Sequence, residues 1–167
     1  MPSNILIKCG RQLLENNLTV VFAESMTAGR LCAEFSLLEN AGKFLKGSLV
    51  TYDAGLKQDS LNVQKSLIDN YSPESAEVTE AMTMGLKHLV PADIYLSITG
   101  LNSEGGSETK TKPVGTIFIH GLYGDIEIKD RVIFKGTPKK IMMQAIDHVA
   151  LLIHETISSA RAIKAAK

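Results

Sequence analysis

Residues 18–40, LTVVFAESMTAGRLCAEFSLLEN, decide the fold. The first six, LTVVFA, form a short apolar run rich in β-branched residues, the pattern of a strand buried on both faces. The run breaks at Glu24-Ser25 into TAGRLCAEFSLLEN (27–40), whose apolar positions recur with the helical period. A strand feeding a helix through a tight turn is the building unit of a sheet covered by helices.

Upstream, Ile5, Ile7, Leu13 and Leu14 fall at near-helical intervals before Asn16-Asn17, which predicts an amphipathic opening helix. Downstream, KGSLVTY (46–52) reads as a strand and DAGLKQDSLNV (53–63) as a turn with a short helix. Ser72-Pro73-Glu74 predicts the start of the next helix, with Ser72 as its N-cap and Pro73 at the first helical position, running to about His88. IYLSITG (94–100) is a third apolar strand, and VGTIFIHGLYGDIEIKDRVIF (114–134) predicts an antiparallel hairpin around Tyr123-Gly124-Asp125. A long amphipathic helix follows from Pro138 to about Ala160. With no internal repeat and no linker, residues 1–167 are expected to form one α/β domain. The architecture expected is a three-layer α/β/α sandwich with a mixed, mainly parallel sheet and a β-hairpin.

The composition excludes several classes of function. Hydrophobic residues make up 44% of the chain and charged residues 22%, values of a compact globular protein rather than a disordered one. Eighteen basic and 18 acidic side chains cancel, so no global field draws the chain onto nucleic acid, and a small-molecule partner is the expectation. No apolar run is long enough to span a bilayer and the N-terminus lacks a leader pattern, so a cytoplasmic location is expected. Cys9 and Cys32 stand outside any metal-ligand spacing and are expected to be reduced, buried hydrophobes. His88, His120, His148 and His154 share no metal spacing either and are expected at surfaces or helix faces. No metal and no cofactor is implied.

In sheets of this kind ligands bind beyond the carboxyl ends of the strands. Three such ends carry polar residues here: Glu24 to Gly29 after the first strand, Tyr52 and Lys57 after the second, and Thr99-Gly100 after the third. Ser25 is expected at the start of a helix, where free N–H groups and the helix dipole favour an anion, a setting that suits a nucleophile. A Ser or Thr that merely caps the helix has the same sequence signature. Lys57 serves as a base only where burial or positive neighbours lower its pKa. In isolation a lysine in a polar turn is ordinarily solvated, and a lone tyrosine ordinarily packs at a core edge. Thr99 to Gly106, TGLNSEGG, offers backbone for close approach to a ligand but is no P-loop, since no GK[ST] follows.

Taken together, AESMTAG (23–29), KGSLVTYDAGLK (46–57), YSPESAEVTEAMTMG (71–85), ITGLNSEGG (98–106) and KPVGTIFI (112–119) resemble the CinA C-terminal domain, the nicotinamide-nucleotide amidohydrolase family, in order and spacing. The resemblance implies that Ser25, of an ES-x-T-x-G motif, attacks the carboxamide carbon of nicotinamide mononucleotide. It implies that Lys57, of a Y-x4-K element, takes up the hydroxyl proton while Tyr52 positions or relays it. Thr27, Gly29, Thr99, Gly100, Gly105 and Gly106 are the implied substrate-binding positions, and a homo-oligomer is the implied assembly.

Two departures bear on the nucleotide. TGLNSEGG places Asn102 and Glu104 where the family prefers Ala and Pro in TG-[IV]-AGPGG. Gly136 is followed by Thr137-Pro138-Lys139-Lys140 without the family's arginines, which leaves Lys139 or Lys140 to supply charge without the bidentate fork of Arg. Two function classes are therefore expected: an amidase acting on a pyridine nucleotide, and a paralogue of altered activity that holds a nucleotide-like ligand in a regulatory role.

Overall fold

The computed structural model describes residues 1–165. Helix α1 (Asn4–Glu15) opens under an N-cap by Ser3, whose hydroxyl accepts from the Leu6 N–H, and it turns Leu6, Cys9 and Leu13 inward. Strand β1 (Val20–Glu24) is buried throughout. Helix α2 (Arg30–Ser36) follows after a turn, and β2 (Leu45–Val50) leads into α3 (Ala54–Leu61). Then come α4 (Lys65–Tyr71), α5 (Ala76–Leu89), β3 (Ile94–Gly100), the hairpin of β4 (Thr116–Tyr123) and β5 (Ile126–Ile133), and α6 (Pro138–Ala165).

The sheet order is β2-β1-β3-β4-β5. β1 pairs parallel with both β2 and β3, while β3–β4 and β4–β5 are antiparallel, so four strands run one way and β4 alone opposes them. The period-two alternation of β1 divides the core. Val20 and Phe22 face a cluster built with α1, α2 and α6, whereas Val21 and Ala23 face one built with α3, α4 and α5. Phe22 meets Phe35 of α2 edge-on at 4.9 Å between ring centroids, which fixes the helix against the strand that precedes it. The expected mixed sheet between two helical layers is what the chain forms.

Three expectations are corrected. Ser72 does not start α5: it ends α4, donating its N–H to the Ile68 carbonyl, and has a φ of 74°. The helix instead begins after Ser75, whose hydroxyl accepts from the Val78 N–H at 3.3 Å. The spacing of Leu67, Ile68 and Tyr71 is the helical signal for α4, a weak one because the segment is only seven residues long. Cys32 is half-buried, not buried. His120 lies inside the molecule on β4, only 2% exposed, with Nε2 3.0 Å from Glu127 Oε1. Beside it the Lys129 ammonium lies 3.1 Å from Glu80 and 3.0 Å from Glu127, so a cation of the chain itself joins these carboxylates. Among the described residues no helix is long and apolar enough to cross a membrane.

Candidate active site

The parallel pairing of β1 with β2 and β3 brings three strand ends together. Ser25, the first residue past β1, donates its N–H to the Ile98 carbonyl of β3, and the Thr51 N–H past β2 reaches the Glu24 carbonyl at 2.8 Å. Asp53 then caps α3, accepting from the Gly55 and Leu56 N–H groups. This anchors the first turn of α3 to the sheet. Side chains of a helix lean toward its N-terminus, so Lys57 reaches back beneath Ser25.

Lys57 is fully buried, a rare state for a lysine. Its Nζ lies 3.0 Å from Ser25 Oγ, 2.7 Å from the Thr51 carbonyl and 3.3 Å from the Tyr52 carbonyl. Burial pushes the Lys57 pKa below the ordinary lysine value, and the negative charges of Glu74 and Asp53 oppose that shift in part. The three partners suit both protonation states. An ammonium donates to all three, while a neutral amine keeps two N–H bonds to the carbonyls and turns its lone pair to the Ser25 hydroxyl. Ser25, 5% exposed, therefore has an amine in hydrogen-bond reach and is no helix cap.

Glu24 corrects the picture of an open helix end. Its buried carboxylate accepts from the N–H groups of Gly29, Leu31 and Cys32, each at 3.0 Å. Gly29, at a φ of 90°, makes the left-handed turn that wraps these donors around the acid. The positive end of α2 is thus neutralised from within the chain and is not free for a phosphate. Replacing Glu24 with Gln puts an NH2 group against N–H donors, and a loss of about 2–3 kcal/mol is expected from broken charge-assisted bonds. Thermal unfolding should reveal it as a fall in Tm of roughly 5–10 °C; an unchanged Tm would show that Glu24 is not the keystone of this turn.

The remaining positions divide. Thr27 is fully buried and its hydroxyl has no hydrogen-bond partner among the described residues. Tyr52 enters through its main-chain carbonyl. Its phenol bonds to neither Ser25 nor Lys57, because the lysine is already filled by main-chain oxygens and the ring, 64% exposed, stands on the cleft wall. Thr99 is structural: its hydroxyl joins Thr79 Oγ1 at 2.8 Å, which in turn donates to the Ser75 carbonyl, tying β3 to α5.

Gly100, Gly105 and Gly106 line a cleft of about 260 Å³ above Ser25, together with Tyr52 and Glu74. Lys139 does not line it. It lies exposed at the start of α6, which follows β5 at the far edge of the sheet, two strands beyond β3.

Two tethers fold the segment after β3 over the cleft. Asn102 Nδ2 donates to the Met26 carbonyl at 3.2 Å, next to Ser25. Lys112 Nζ donates to Ser72 Oγ at 2.5 Å, Ser107 Oγ at 2.7 Å and the Glu74 carbonyl at 3.0 Å. Glu24, Glu74 and Lys112 take part in this arrangement although sequence reasoning did not single them out as site residues. Glu24 alone had a local signal, an acid at the end of a buried strand just before a glycine turn.

Residues 3–157 match the CinA C-terminal domain. A CinA-like protein of Prochlorococcus marinus is 38% identical over 138 residues, which are 81% of this chain and 32% of that protein. Another, from Dictyoglomus thermophilum, is 39% identical over 121 residues, 71% of this chain and 29% of that protein. The chain spans about a third of the length of these curated relatives. In fold it is similar to a CinA-superfamily protein of Klebsiella pneumoniae, with a TM-score of 0.87 at 23% identity over 93% of this chain and 96% of that one. It is also similar to a competence/damage-inducible protein of Agrobacterium tumefaciens, with a TM-score of 0.85 at 18% identity over 95% and 98% of the two chains. Sequence and fold agree over most of its length, and the chain belongs to the CinA C-terminal domain family.

Proposed function

We propose that this chain is a serine-dependent carboxamide hydrolase acting on the nicotinamide-nucleotide class of amides, with nicotinamide mononucleotide the substrate that the family resemblance suggests. The observation that carries the reading is the enclosed Lys57 amine 3.0 Å from Ser25 Oγ. Ser25 Oγ attacks the carboxamide carbon and its proton passes to Lys57. Collapse of the tetrahedral adduct breaks the C–N bond, Lys57 returns the proton to the departing nitrogen, and ammonia leaves an ester on Ser25. Lys57 takes a proton from water as the water attacks the ester, then returns it to the departing Ser25 Oγ, which frees the acid product and restores the serine.

The N–H groups of Met26 and Thr27 donate to no acceptor among the described residues, and this reading assigns them to the oxyanion. The exposed Tyr52 ring on the cleft wall offers a face for a flat heteroaromatic ring. The test is ammonia release from nicotinamide mononucleotide and related amides by the wild type. Turnover that requires Ser25 supports the reading, and no turnover of any pyridine carboxamide overturns it.

The pH dependence follows from Lys57. The amine must be neutral to act as base, so kcat/KM should rise with pH, along a limb that lies below the ordinary lysine range. Glu74 favours the ammonium, so Glu74→Gln should move that limb further toward low pH. A limb that stays in place in this variant would mean that some other group controls the profile.

A further inference from the structure

A second cluster of chemistry-bearing side chains stands toward the β5 edge of the sheet. Glu80 of α5, His120 of β4 and Glu127 of β5 bring one nitrogen and two carboxylate oxygens within 4.8 Å of one another. Three separate elements supply them, which is why no metal-ligand spacing shows in the sequence. Glu80 and His120 line a cavity of about 250 Å³ together with Lys129, and no residue of that lining belongs to the cleft above Ser25.

The imidazole sets this group apart from ordinary surface carboxylates. His120 is 2% exposed and fixed by the sheet, whereas the Glu80 and Glu127 side chains are 46% exposed and free to adjust. The ring's Nε2 lies 3.0 Å from Glu127 Oε1, so this nitrogen is aimed into the cluster. Nδ1 is buried and has no hydrogen-bond partner among the described residues. Ser97, paired with His120 across β3–β4 and on the same face of the sheet, has a buried hydroxyl in the same state. A ring that donates from Nε2 to Glu127 leaves Nδ1 a bare buried acceptor. A cation on Nε2 moves the ring proton to Nδ1, on the face where the Ser97 hydroxyl is an unused acceptor.

This place already holds a cation. The Lys129 ammonium lies 3.1 Å from Glu80 and 3.0 Å from Glu127, on a side chain exposed enough to swing out into solvent. We propose that Glu80, His120 and Glu127 form a binding site for a divalent transition metal ion of the zinc type, and that Lys129 fills it until the ion displaces the ammonium. One imidazole and two carboxylates are donors that zinc accepts, with a fourth position left for water on the cavity side. A doubly charged ion balances two carboxylates, which a single ammonium does not. Zinc needs its ligands at about 2 Å, and the two exposed glutamates supply the movement that closes the group around it. The bound ion ties α5 to β4 and β5, and the site stands independently of the hydrolysis proposed for the cleft.

The test titrates the metal-free full chain with zinc chloride in competition with a chromophoric chelator. The wild type should bind one equivalent and gain several degrees in Tm, as a ligand held only by the folded state produces. Lys129→Met, which removes the resident ammonium and its two surface ion pairs, should bind about fivefold more tightly. His120→Gln and Glu127→Gln should each bind at least about tenfold more weakly. The exposed Glu127→Gln keeps the test decisive where replacing the buried histidine unfolds the chain. Cobalt(II), as a spectroscopic probe, should give visible ligand-field bands without a thiolate charge-transfer band, which separates this site from Cys32. No stoichiometric zinc binding by Lys129→Met, an affinity indifferent to Glu127→Gln, or a thiolate band with cobalt overturns the proposal.

Discussion

Ser25→Ala is expected to lower kcat for carboxamide hydrolysis by about 10⁴–10⁶-fold, the scale seen when a nucleophile that works as a unit with its base is removed. In the proposed reaction the hydroxyl oxygen forms the new bond, and among the described residues no other serine or cysteine is hydrogen-bonded to Lys57. Lys57→Met should fall to about the same floor, and the double variant should be no worse, because each change alone already disables the pair. Additive losses would mean that serine and lysine act independently.

A covalent signature separates the nucleophile from a merely structural serine. Rapid quenching of the wild type with substrate should leave a fraction of the chain heavier by the acyl group, bound through Ser25, and the alanine variant should show none. Retained turnover in Ser25→Ala would falsify the nucleophile assignment and leave Lys57 activating water directly.

Gly85→Ala should be strongly destabilising. In an exposed helix the change stabilises by about 1 kcal/mol, since Ala is the better helix former. Here the sign reverses. Gly85 is buried in α5 where α3 ends, and a Cβ built on it would stand 2.0 Å from the Leu61 carbonyl oxygen and 2.8 Å from its carbon. Both atoms are backbone, so no rotamer relieves the overlap and the two helices must separate. A loss of about 3 kcal/mol is expected from overpacking of this kind. Urea unfolding measures it as a lower midpoint at an unchanged slope.

The same substitution connects stability to chemistry. Helix α3 carries Lys57 and ends at Leu61, so pushing its C-terminus away from α5 displaces the Lys57 amine from Ser25. Activity should fall well before the protein unfolds. A Gly85→Ala protein as stable as the wild type would mean that α3 and α5 are not held at the spacing described.

The fate of the acidic residues shows how local sequence can mislead about a site. A strand ending in Glu24-Ser25 before a helix reads as an anion site, because helix starts offer free donors. The donors exist, but Glu24 folds back on them, and Glu108 does the same to Gly105. Each carboxylate settles the amides near it, as buried polar groups require, and in doing so removes them from ligand binding. Asn102, marked as a departure from the family pattern, has a structural use: its amide ties the loop to the carbonyl next to Ser25.

The strands β1 and β3, the β4–β5 hairpin, the opening helix and α6 were legible in the residues alone, because each depends on a local pattern: apolar runs, a Gly-Asp turn, a Pro at the first helical position. Ser25 and Lys57 were singled out through the family resemblance, and the fold sets them 3.0 Å apart. The boundary between α4 and α5 was not legible, since Ser72 and Ser75 are both plausible caps and only the packing of α5 on β3 and β4 selects between them. Nor could the chain by itself reveal that Tyr52 contributes a carbonyl while its ring faces outward, that Lys139 lies two strands away from the cleft, or that His120 is interior. Those outcomes depend on which strands become neighbours and which donors find partners first. Hydrogen-bond satisfaction and burial are settled among residues distant in sequence, and only the folded chain brings them together.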